Sequence, residues 1–100
     1  MSMNQSLRIT LVQTQLAWHQ PQLNRERFAD IFADLKGSTD LVVLPEMFTS
    51  GFTTEVDGLD EQGTPTIDWM LARAALTQAA ICGSTVFNTE DGYCLSLIHI

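Results

Sequence analysis

Positive charge is scarce in this chain. Lys36 is its single lysine, and Arg8, Arg25, Arg27 and Arg73 bring the basic total to 5 in 100 residues, against 12 Asp and Glu. With a net charge of -7 and no dense run of Lys and Arg, the chain cannot neutralise a phosphate backbone, which excludes nucleic acid as an expected partner. Cysteine is also sparse: Cys82 and Cys94 have neither disulfide-framework nor metal-ligand spacing, which fits small buried thiols in a reducing compartment. No apolar run approaches the length of a membrane span. The N-terminal stretch MSMNQSLRITLVQTQ lacks the basic segment and apolar core of a secretory leader, so a cytoplasmic protein with no membrane partner is expected.

Other absences narrow the chemistry. The six glycines form no G-x-G-x-x-G, and KGST at residues 36–39 only reorders the letters of a phosphate loop, so no Rossmann or P-loop nucleotide site is supported. A phospho-acceptor domain would want an acidic pair after its first strand, but Val12 is followed by Gln13, Thr14 and Gln15. His19 and His99 have no metal-ligand partner at helical or turn spacing and read as surface or packing residues; no G-x-S-x-G elbow is present. Neither a metal nor a cofactor is expected.

What is present suits one compact α/β domain, since a 45% hydrophobic content over 100 residues supplies a modest core. LRITLV, Leu7 to Val12, alternates apolar and polar residues and predicts a first strand. Pro21 can open a helix whose stripe is Phe28, Ile31, Phe32 and Leu35, with Gly37 as its C-cap. LVVL, Leu41 to Leu44, is apolar on both faces and predicts a central strand covered by helices on each side. A long Gly-rich acidic loop follows, and Thr64-Pro65 then starts a second helix with Ile67, Met70, Leu71, Ala74 and Ala75 inward. AICGSTVF, Ala80 to Phe87, predicts another buried strand, and NTEDG, Asn88 to Gly92, a turn toward a further one. Strands alternating with helices build an α/β domain, whose ligands sit beyond the carboxyl ends of the strands.

Glu46 occupies that position. It stands behind Pro45 at the end of the apolar strand in DLVVLPEMFTSGF, where a rigid turn could hold a carboxylate and burial would tune it toward general-base duty. Met47, Phe48 and Phe52 are large apolar side chains in a segment of turn composition, and Phe48 and Phe52 are the expected walls of a substrate pocket around it.

LRITLVQTQLAWHQPQLNRERF, DLVVLPEMFTSGFT and CGSTVFNTEDG together resemble the N-terminal part of the nitrilase superfamily of carbon–nitrogen hydrolases. PEMFTSGF is similar to the omega-amidase form of a motif that varies among its branches. The resemblance runs from about Leu7 to Gly92. It implies an α/β chain forming the N-terminal part of a nitrilase-type α-β-β-α sandwich, a fold that pairs into homo-oligomers through helical faces. It also implies a catalytic Glu, Lys and Cys. Glu46 would be the glutamate, acting as general base on the nucleophilic thiol and then on water, while the lysine would stabilise the oxyanion. The implied substrate is a small amide, 2-oxoglutaramate or 2-oxosuccinamate, hydrolysed to the 2-oxo dicarboxylate and ammonia without a cofactor.

The pattern breaks after Tyr93, where the chain reads CLSLIHI. The family's later Lys and Cys have no counterpart: Lys36 matches no family position, and Cys82 does not match the nucleophile motif. Residues 1–93 are therefore expected to be the N-terminal portion of a carbon–nitrogen hydrolase domain. Residues 94–100 are expected to be a non-native or frame-shifted tail, and the 100-residue chain to be inactive alone. The rival expectations are another amide or nitrile hydrolase of the superfamily, or a non-catalytic α/β interaction fragment.

Overall fold

The computed structural model describes residues 6–51, 64–89 and 92–100. Its elements run β1 (Ile9–Leu11), α1 (Pro21–Phe32), β2 (Leu41–Val43), α2 (Thr64–Thr77), β3 (Ala80–Thr89) and β4 (Gly92–His99). They form one four-stranded sheet in the order β1-β2-β3-β4, with the first three strands parallel and β4 antiparallel to β3. This is the α/β alternation expected from the sequence. Residues 94–99 are paired with β3 as part of β4, and the ladder continues to reciprocal Ile81–Ile100 hydrogen bonds of 2.7 and 2.9 Å.

Both crossovers advance in the same direction across the sheet, and right-handed connections of that kind lay their helices on the same face. The two helices meet there: Arg25 Nη1 donates to Thr66 Oγ1 at 3.2 Å, and Phe32 packs edge-on to Trp69 at 5.5 Å. Beneath them lies a core of Phe28, Phe32, Val42, Leu44, Phe48, Met70 and Ile81. The opposite face carries Ile9, Leu11, Leu41, Val43, Cys82, Ser84 and Leu97 and has no covering element among the described residues; Leu11 and Leu97 are 73% and 75% exposed. The expectation that helices would cover β2 on both sides is therefore corrected. Val42 is fully buried, while Leu41 and Val43 on the other face are half-buried.

Pro21 begins α1, where its missing N–H costs nothing, and Phe28 and Phe32 form the buried stripe as expected. The helix ends at Phe32 rather than running on to Gly37. Single turns then carry Leu35 and Ser38, and Gly37 takes the left-handed φ of +77° just beyond. In α2 the inward face lies about one residue from the predicted stripe. Thr66, Met70 and Thr77 are buried while Leu71 is 52% exposed. The two threonines can turn inward because their hydroxyls are bonded, Thr66 to Arg25 and Thr77 to the Arg73 carbonyl at 2.8 Å. No helix among the described residues is long and apolar enough to cross a membrane.

Candidate active site

The β2 strand delivers Leu44 and Pro45 to the carboxyl end of the sheet, where the Leu44 N–H still donates to the Cys82 carbonyl at 2.9 Å. Glu46 follows at the start of a turn over residues 46–50. That turn closes on the Met47 carbonyl, which accepts from the N–H groups of Ser50 at 3.1 Å and Gly51 at 2.9 Å. Met47 itself holds φ at +50°, a left-handed conformation that an unbranched non-glycine residue adopts only when its surroundings impose it.

Three attachments impose it. Ser84, on β3, accepts the Met47 N–H on its Oγ at 2.9 Å and the Phe48 N–H on its carbonyl at 3.3 Å. Thr49 and Thr85 share a buried hydroxyl–hydroxyl hydrogen bond of 3.0 Å. From the other side, Asn24 of α1, 1% exposed, donates through Nδ2 to the carbonyls of Thr49 and Ala17 and accepts the Ala17 N–H on Oδ1, each at 2.7 Å. Two carbonyls on one side of the amide and an N–H on the other leave one sensible orientation for it. Trp18 completes the enclosure. Its ring stacks on His19 at 4.6 Å and lies against Gly51, where a Cβ would come within 2.9 Å of Trp18 Cε3.

Phe48 is fully buried in the helix-side core, edge-on to Phe28 and tilted against Trp69, both at 5.8 Å. It anchors the turn from below and is absent from the recess beside Glu46. Phe52 lies outside the described residues. Glu46 is exposed on the rim of a recess of about 420 Å³, lined by Val43, Leu44, Cys82, Gly83, Ser84 and Leu97. The burial anticipated around its carboxylate is not supplied by the described residues. His19 is a half-buried ring-stacking residue, in keeping with the packing role read from the sequence. Among the described residues no group of three or more His, Cys, Asp or Glu side chains could hold a metal ion.

Sequence reasoning placed Glu46 just beyond the carboxyl end of β2 but missed the groups that hold the turn it begins. Asn24 carried a usable signal: it lies one helical turn before Phe28 on the buried stripe, where a polar side chain must find partners. Ser84 carried a weaker one, as a small polar residue directly after Gly83 in an otherwise apolar strand.

This mixed sheet, with Glu46 just beyond the carboxyl end of β2 and beside a small recess, has a counterpart among solved structures. XC1258 from Xanthomonas campestris, a CN-hydrolase superfamily protein, superimposes with a TM-score of 0.84 at 40% sequence identity, covering 93% of this chain and 39% of that one. More particularly, the chain is homologous to omega-amidase YafV. It is 38% identical to the Escherichia coli K12 protein over 86 residues, covering 86% of this chain and 33% of that protein. It is also 38% identical to the Yersinia enterocolitica protein over 87 residues, covering 87% and 34%. The chain therefore spans about a third of the length of these relatives. No family model matches it.

Proposed function

We propose that this segment belongs to a cytoplasmic, homo-oligomeric amidohydrolase of the omega-amidase type, acting on the terminal amide of 2-oxoglutaramate or 2-oxosuccinamate. The observation that carries this reading is Glu46, held on a pinned turn at the mouth of the recess in a chain 38% identical to omega-amidase YafV. In this reading Glu46 takes the proton of a cysteine thiol, and the thiolate attacks the amide carbon. A lysine stabilises the oxyanion of the tetrahedral intermediate, which collapses to a thioester as protonated Glu46 returns its proton to the departing nitrogen and ammonia leaves. Glu46, again a carboxylate, then takes a proton from water; the hydroxide adds to the thioester carbon, and collapse frees the 2-oxo dicarboxylate as Glu46 returns the proton to the leaving cysteine sulfur. The lysine and cysteine lie outside these 100 residues, so the chain alone is expected to be inactive.

The test uses the full-length protein carrying this segment. Glu46→Gln is nearly isosteric but cannot accept the proton, and it should lower kcat by about 100-fold or more. Turnover at the unaltered rate would remove Glu46 from the mechanism. Assay of 2-oxoglutaramate beside a nitrile and an N-carbamoyl amino acid separates the omega-amidase reading from other hydrolases of the superfamily.

A further inference from the structure

Glu46 directly precedes a constrained stretch of backbone. The Met47 N–H is fixed by the Ser84 hydroxyl at 2.9 Å, Met47 is 4% exposed with φ at +50°, and Phe48 behind it is locked into the core. Ser84 is the only residue whose side chain both bonds this turn and lines the recess onto which Glu46 opens, among the described residues. It also contributes its carbonyl, so β3 grips two successive amides immediately after Glu46.

We infer that Ser84 is a positioning residue for Glu46: its hydroxyl, by accepting the Met47 N–H, sets the direction in which the Glu46 carboxylate leaves the backbone. This rests on the amidohydrolase reading above. Without the hydroxyl, the Met47 amide loses its acceptor and the peptide that joins it to Glu46 is free to rotate. The core contact of Phe48, the Thr49–Thr85 bond and the Asn24 bonds still hold the remainder of the turn. The effect therefore falls on the orientation of one carboxylate rather than on the fold. A displacement of about 1 Å in a reacting group can cost on the order of 100-fold in rate.

The experiment measures steady-state hydrolysis of 2-oxoglutaramate and thermal melting for the full-length protein and its Ser84→Ala, Ser84→Cys, Ser84→Thr and Glu46→Gln forms. Ser84→Ala should lower kcat by roughly 10- to 100-fold with KM within about twofold. Ser84→Thr keeps the hydroxyl on a strand-favouring side chain and should restore kcat to within about threefold. If Ser84→Ala does not fold, Ser84→Cys, close in size with a weak acceptor, should melt like the parent yet turn over more slowly. Parental kcat in Ser84→Ala or a folded Ser84→Cys overturns the inference, as does an equal loss in Ser84→Thr. An inactive Glu46→Gln beside a fully active Ser84→Ala overturns the positioning role alone. A fully active Glu46→Gln overturns the amidohydrolase role of Glu46 together with it.

Discussion

At Gly83 the backbone of β3 passes close to the turn. A Cβ there would lie 3.0 Å from Phe48 Cδ1 and Cε1 and 3.2 Å from Leu44 Cβ, so these neighbours would have to give way slightly. Gly83→Ala in the full-length protein should cost about 1–3 kcal/mol, the usual scale of overpacking, read as a lowered denaturant midpoint. It should also lower kcat, since Phe48 must move and carries the turn with it. A stability equal to the parent would show that Phe48 can yield. Asp40 supplies a second test. Its carboxyl is held below its ordinary value of 3.8 by the side-chain hydrogen bonds of Arg8, reinforced by the Arg8 N–H at 2.8 Å. A depressed carboxylate contributes stability that is complete above that ordinary value and is lost as pH falls through the lower folded one. The parent protein should therefore lose stability below about pH 4 more steeply than Asp40→Asn, by a small, salt-sensitive margin because the pair is exposed. Parallel acid limbs for the two proteins would contradict this. At this scale Glu46 was legible because strand, proline and carboxylate are contiguous. The bond made by Ser84 was not, because the amide it accepts lies 37 residues away in the chain; the place of Asn24 on the buried stripe was visible, but its partners, 7 and 25 residues away, were not.

Elements were legible where a periodic apolar pattern had one interpretation. The α1 stripe is of this kind, since the burial of Phe28 and Phe32 follows from i, i+4 spacing. The pattern of β2 had two interpretations. Consecutive apolar residues at 41–44 look the same whether helices or another sheet complete the burial, and only the one-directional strand order shows that both helices lie on a single face. The orientation of α2 was obscured for a different reason. Hydropathy ranks leucine above threonine for the inward face, but the hydroxyls of Thr66 and Thr77 are satisfied locally and Met70 fills the space between them. Within α1, Asn24 joins helix to turn. Three bonds of 2.7 Å to buried main-chain groups make it a structural link between the helical layer and the Glu46 segment.

At the scale of the sheet, one face is covered and the other has no covering element among the described residues. Ile9, Leu11 and Leu97 stand 52%, 73% and 75% exposed on that second face, apolar side chains that a lone domain rarely leaves open together. In an α-β-β-α sandwich the second sheet occupies this side, and the resemblance read from the sequence implied as much. The isolated 100-residue chain should accordingly self-associate and bind a hydrophobic dye such as ANS. A monomeric chain that melts cooperatively without dye binding would contradict this.

The contact of Trp18 with Gly51 has a spectroscopic consequence. The chain has two tryptophans, and the fold sends them to different places: Trp69 sits between Phe32 and Phe48 at the edge of the core, while Trp18, 56% exposed, lies against Gly51, the residue that follows the turn beginning at Glu46. Replacing either with phenylalanine leaves an emission that follows one region alone. The motion of the Glu46 turn can then be watched apart from the melting of the core that supports it.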